Sequence, residues 1–165
     1  MLKITTATAS QLSIINKLAN QIWWPTYSAY ISEQQINFML NDMYSLASLQ
    51  NQLANNHIFK LAKYQNKICG FASYSPIDNF GIYKIHKLYL HQKIQGLGLG
   101  KIFLTAIENE LLNLSATAVH LNVNRENKAQ HFYLKHGYQI LKTVNIPYHN
   151  FMLTDFVMCK QFTNF

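Results

Sequence analysis

Residues 82–114 restrict the fold more than any other part of the chain. Ile82 to Leu90, I-Y-K-I-H-K-L-Y-L, mixes β-branched, aromatic and aliphatic residues without proline or glycine, which predicts a strand buried in a sheet. The next stretch, H-Q-K-I-Q-G-L-G-L-G-K, places Gly96, Gly98 and Gly100 where the backbone can turn tightly and approach another group, because no Cβ stands in the way. Leu99, Phe103, Ile107, Leu111 and Leu114 then recur at helical spacing. A helix entered from a glycine-rich loop presents free N–H groups and the positive end of its dipole, so this stretch predicts an anion site, most often for phosphate.

Spacing narrows the choice of phosphate ligand. A dinucleotide fingerprint needs G-x-G-x-x-G with an acidic residue about 20 positions on. Here the glycines read G-x-G-x-G, and no carboxylate lies near His120. A nucleotide P-loop needs a glycine five residues before its G-K pair and a hydroxyl after it, but positions 95 and 102 are Gln and Ile. What remains is Q-x-x-G-x-G, Gln95 to Gly100, between a strand and an amphipathic helix. It resembles the pyrophosphate loop of the GNAT superfamily of acyl-CoA-dependent N-acetyltransferases, in which Arg is commoner at the first position and Gln is a familiar variant. A second stretch, N-x-A-x-x-F-Y-x-x-x-G-Y, runs from Asn127 through Ala129, Phe132, Tyr133 and Gly137 to Tyr138, after a predicted strand at Val119 to Val123. It resembles the superfamily's helix after the fifth strand. The two matches stand in the family's order, and the resemblance extends from about Met1 to Lys160.

The resemblance implies an α/β (α+β) fold: a mixed, mostly antiparallel central sheet of about seven strands with helices on both faces. It implies acetyl-CoA as cosubstrate and attack by an amine on the thioester in a ternary complex. Backbone groups of Leu88, Tyr89 and Leu90 would pair with the pantetheine arm, and an N–H there could polarise the thioester carbonyl. The amides of Gln95, Gly96, Leu97, Gly98, Leu99, Gly100 and Lys101 would hold the pyrophosphate. Tyr133 matches the family position that commonly protonates the departing thiolate; packing beside Ala129 and Phe132 is the other reading. Asn127 contacts coenzyme or caps its helix.

An acceptor amine of the lysine kind, with a pKa of about 10.4, must lose a proton before it attacks. Some relatives place Glu on the fourth strand, but loop counting puts Lys84 there. His86 points to the same side by strand alternation and has the side chain suited to base work near neutral pH, although a lone strand histidine is also an ordinary structural residue. Glu33, Asp155 and solvent are further candidates.

The rest of the chain reads as a frame around these motifs. Leu2 to Thr6 predicts an edge strand and Leu12, Ile15, Leu18, Ala19 and Ile22 a helix capped by Thr8 or Ser10 and stopped by Pro25. Ser32 opens a helix with Ile36, Met39 and Leu40 inside, and Ser45 to Asn55 a third. His57 to Tyr64 and Lys67 to Ser75 form a hairpin around Gln65-Asn66; Gln139 to Ile146 and Asn150 to Lys160 form another, with Pro147 at the bend. Between the first two helices lies a dense aromatic set that is mostly packing. In the family this segment walls the acceptor pocket, which nominates Trp24, Tyr27 and Tyr44.

Composition is consistent with one domain, residues 1–165: hydrophobic residues make up 49% and no apolar run reaches the roughly 20 residues of a membrane span. The start of the chain lacks a signal-peptide pattern, so a soluble, cytoplasmic protein is expected, with no membrane partner. Cys69 and Cys159 have no C-x-x-C partner and read as small buried hydrophobes, with no metal site. The net charge of +7 comes from scattered lysines, with Arg125 the sole arginine, which argues against base readout in a nucleic acid. Lys93 and Lys101 flank the glycine loop, where an anionic coenzyme would lie. The acceptor stays open between small molecule, peptide and protein amine; the resemblance allows a homodimer. Two other classes remain: a non-catalytic acyl-CoA-binding regulatory module, which would keep the loop and tolerate loss of Tyr133, and an RNA-directed protein, which would bind with steep salt dependence.

Overall fold

A computed structural model describes residues 1–162; the last three positions of the expected 1–165 domain lie outside the described residues. Among the described residues, seven strands and five α-helices follow one another in the order β1 (Lys3–Thr6), α1 (Leu12–Tyr27), α2 (Glu33–Tyr44), α3 (Leu46–Ala54), β2 (Ile58–Tyr64), β3 (Lys67–Pro76), β4 (Ile82–Leu90), α4 (Leu99–Asn113), β5 (Ala118–Asn124), α5 (Ala129–Lys135), β6 (Gln139–Tyr148) and β7 (Phe151–Gln161). The hydrogen-bonded strand order is β1-β2-β3-β4-β5-β7-β6. Pairing is antiparallel for β1–β2, β2–β3, β5–β7 and β6–β7 and parallel for β4–β5, the mixed, mostly antiparallel sheet expected. No helix among the described residues is long and apolar enough to cross a membrane.

Contacts divide the described residues into two compact units, 1–75 with 87–107 and 76–86 with 108–162, so that β4 and α4 each contribute to both. In the first unit, Ser32 Oγ accepts from the N–H of Gln35 at 3.1 Å and starts α2, while Ser45 ends α2 and caps α3 through the N–H of Ser48. Gln65 and Asn66 both adopt positive φ, 47° and 63°, the backbone a tight two-residue hairpin demands. Leu12, Ile15, Leu18, Ala19, Ile22 and Trp23 form the buried stripe of α1. β3 is buried from Cys69 to Ser75 without alternation, as a strand covered on both faces must be. Gly70 belongs to this crowding, since a Cβ there would stand 2.4 Å from Leu90 Cδ2 and 2.5 Å from the Tyr89 carbonyl oxygen.

In the second unit, β5 alternates: Val119, Leu121 and Val123 are buried, His120, Asn122 and Asn124 half-exposed. Glu108 and Lys160 form a 2.8 Å ion pair.

Three expectations need correction, and one, the cap at Thr8 or Ser10, is narrowed to Thr8. Pro25 lies inside α1, which continues to Tyr27; so near the helix end the missing N–H costs one bond, to Gln21, and Thr26 Oγ1 donates back to the Ile22 carbonyl at 2.6 Å. Pro147 sits within β6 opposite Met152, and the bend falls at His149 (φ 52°); an edge strand tolerates proline because its outer N–H has no ladder partner. Thr8, not Ser10, precedes the first turn, a 3₁₀ turn at Ala9–Gln11, with Gln11 Oε1 accepting from the Thr8 N–H. Leu114 lies past the end of α4 and is exposed; Leu104 joins Leu99, Phe103, Ile107 and Leu111 in the core.

Candidate active site

β4 leaves the sheet at Leu90, and the loop after it is pinned at its base. The N–H of His91 donates to the Cys69 carbonyl at 2.7 Å, a 3₁₀ turn spans Gln92–Ile94, and Gln95 Nε2 reaches back to the Leu90 carbonyl at 3.1 Å. Gly96 and Gly98 then take φ of 80° and 74°. A Cβ at either would meet nothing within 4 Å, so conformation, rather than crowding within the chain, requires glycine here. Gly100 is already inside α4, behind the buried Leu99. Gln95, Gly96, Leu97 and Gly98 are exposed. Among the described residues, no protein group accepts from the N–H of Gly96, Leu97 or Gly98. An exposed turn of unpaired N–H groups ahead of a long helix is the kind of backbone that can receive an anion. Lys93 and Lys101 are exposed on either side.

The same unit holds the aromatic set, and it is centred on Trp23 rather than Trp24. The Trp23 ring lies 4.6 Å from Tyr27, 5.4 Å from Tyr44 and 6.3 Å from Tyr89 by centroids. Tyr27 and Tyr89 share a 2.8 Å hydroxyl–hydroxyl hydrogen bond. Trp24 is half-buried, whereas Tyr44 is fully enclosed and burial pushes its hydroxyl well above the usual tyrosine range. Beneath these rings lies Lys87, whose Nζ donates to Gln52 Oε1 at 2.8 Å and stands 5.0 Å from the Tyr44 ring centroid. Burial lowers the Lys87 ammonium to a pKa of about 8.

The parallel β4–β5 ladder covers Ile82–Ile85 against Ala118–Leu121 and ends there, although β4 runs on to Leu90; Leu88, Tyr89 and Leu90 lie beyond its last pair. His86, half-buried, follows that pair directly.

In the second unit, Asn127 Oδ1 accepts from the N–H of Ala129 at 2.9 Å, one residue ahead of Lys128, which stands at the N-cap of α5. Tyr133 is 9% exposed, packed edge-on against Phe132 and Tyr138, and its hydroxyl bonds to no protein group among the described residues. Burial holds that hydroxyl protonated far above neutral pH, the state a proton donor needs.

A model of the Acetyltransferase (GNAT) family matches residues 17–138. The chain belongs to this family. As a GNAT protein it is an acyltransferase, and solved structures share its fold. The PaiA N-acetyltransferase of Thermoplasma acidophilum, in complex with coenzyme A, superposes with a TM-score of 0.82 at 23% identity, over 98% of this chain and 99% of that one. A GCN5-related N-acetyltransferase from Rhodopseudomonas palustris gives 0.83 at 19% identity over 97% and 95%. A GNAT acetyltransferase from Elizabethkingia anophelis with acetyl-CoA bound gives 0.66 at 18% identity over 98% of both chains. No curated protein matches the sequence.

Within this GNAT chain, sequence reasoning missed Trp23 and Lys87. Trp23 had a legible signal, since it continues the apolar stripe of α1 one position after Ile22. Lys87 had none: its acceptor, Gln52, lies 35 residues away.

Proposed function

We propose that this GNAT acetyltransferase moves the acetyl group of acetyl-CoA to a primary amine of a small molecule, peptide or protein, by direct attack in a ternary complex within a single domain at 1–165. The observation that carries the reading is the exposed turn of unpaired N–H groups at Gly96, Leu97 and Gly98. Gln95 to Lys101 hold the pyrophosphate, and Leu88, Tyr89 and Leu90 offer main-chain groups to the pantetheine arm. Asn127 adds a coenzyme contact beside its bond from the Ala129 N–H. His86 removes a proton from the acceptor ammonium. The neutral nitrogen then attacks the thioester carbon, a C–N bond forms, the C–S bond breaks, and Tyr133 gives its proton to the leaving thiolate. Trp24, Tyr27 and, from behind, Tyr44 wall the acceptor. The protein works in the cytoplasm.

The reading is tested by thiol release across a panel of amines, with calorimetric coenzyme binding alongside. Acceptor-dependent release is the expected result. Binding without release for any acceptor would replace the enzyme by a regulatory acyl-CoA module, and no binding would remove the coenzyme from the account. Tyr133→Phe should lower kcat by about 100-fold, the scale of one proton-transfer contribution, with coenzyme affinity within about twofold of wild type. Full activity in that variant would return Tyr133 to packing.

A further inference from the structure

In the second unit, one face of the sheet carries charge that the protein leaves unused. Register sets Lys84 beside His120, and sets His120, Asn122 and Asn124 opposite Cys159, Val157 and Asp155. Alternation therefore aligns Lys84, His120, Asn122 and Asp155 on one side, while Ile85, Val119, Leu121 and Met158 turn into the core. All four of the aligned side chains are half-buried.

Their hydrogen-bonding capacity is barely taken up. Asp155 Oδ2 accepts one long bond, 3.4 Å, from Asn122 Nδ2. Lys84 Nζ makes neither a hydrogen bond nor an ion pair, and the His120 ring bonds to nothing, among the described residues. Beside them Arg125 spends its Nη2 on the Val144 carbonyl and the Asn145 side chain, and its buried Nε has no partner. Burial disfavours charge on both Lys84 and Asp155; Asp155 partly offsets this for Lys84 through space, and the Asn122 hydrogen bond, Lys84 and Arg125 do so for Asp155, without Lys84 and Asp155 closing a contact. A pair meant for stability would close, because desolvation without a direct contact is a net cost. An ammonium and a carboxyl held apart on one open face are instead complementary to a ligand bearing the opposite pair.

We propose that this face is the acceptor subsite and that it takes a small amine which also carries a carboxylate, an amino-acid-like zwitterion, with its amine at Asp155 and its carboxylate at Lys84. The inference rests on the acetyl transfer proposed above, and it adds no covalent step: Asp155 and Lys84 position the acceptor whose nitrogen attacks.

The test compares leucine, methionine and phenylalanine with their decarboxylated counterparts, isoamylamine, 3-(methylthio)propylamine and 2-phenylethylamine, and with spermidine. Thiol release gives kcat/KM, and calorimetry on the coenzyme A complex gives affinity. Wild type should favour each amino acid over its amine by at least about tenfold, one modest charged contact. Lys84→Met should bring that ratio to within about twofold of one, Lys84→Arg should keep it, and Asp155→Asn should weaken binding of amino acid and amine alike. Thermal melts show whether each variant folds, and the wild-type ratio needs no variant. Equal use of acid and amine by wild type, preference for spermidine, or an unchanged ratio in folded Lys84→Met would overturn the proposal. If no acceptor releases thiol, the transfer reading fails while the calorimetric ratios still decide the subsite.

Discussion

Strand β4 carries two lysines three residues apart whose surroundings differ in kind. Lys87, in the first unit, is 7% exposed, bonded to Gln52 and set against the Tyr44 ring. Lys84, in the second, is half-buried and touches no polar partner among the described residues. Burial lowers the proton affinity of both. The difference lies in saturation: Lys87 belongs to the packing of its unit, whereas the Lys84 donors stay unbonded among the described residues. A strand residue's place on one face or the other thus separates a structural cation from an available one.

The strongest way to probe the closed side is through its glycine. Gly70→Ala drives a Cβ against a backbone oxygen that cannot swing away, and should cost at least about 3 kcal/mol in denaturant unfolding. Gly98→Ala meets open space and pays only for its positive φ, about 1 kcal/mol, so its larger effect should be on coenzyme affinity. Equal stability losses would break the contrast between crowded and open glycines.

The pH dependence sharpens it further. An unfolded lysine keeps its proton to about pH 10.5, whereas folded Lys87 releases it near 8. Between these values the unfolded state binds the extra proton, so raising the pH favours folding, by up to about 3 kcal/mol across the window. Above about pH 10 the buried hydroxyls of Tyr44, Tyr133 and Tyr138 act in the opposite sense, because folding holds them protonated. Lys87→Met should flatten the rise between pH 8 and 9.5 in pH-dependent melts; a slope unchanged by that substitution would show that Lys87 is not its source.

The smallest effects compare the partners directly. Gln52→Leu strands the buried Lys87 ammonium and should cost about 2 kcal/mol. Lys84→Met removes no contact and should shift stability by less than about 0.5 kcal/mol. A reversal of these two would exchange the roles of the lysines.

Local chemistry made much of this molecule legible in advance. Ser32 and Ser45 announce helix starts because a side-chain oxygen at that position satisfies a free N–H, whatever packs around it. Gln65-Asn66 announces its hairpin, and the glycine spacing announces the anion turn, because both depend on φ, which a few neighbouring residues set. Proline was the misleading signal: Pro25 and Pro147 forbid one N–H bond each, and whether that matters depends on where the helix ends and which strand lies at the edge.

The sequence by itself determined the order of elements, the loop geometry at Gly96 and Gly98 and the family, since each is written in residues close together along the chain. Tertiary structure alone decided that Lys87 finds Gln52 and that Lys84, Asn122 and Asp155 share one face. Burial and partnership are set by segments distant in sequence, and desolvation acts on a charge only through what the fold packs around it.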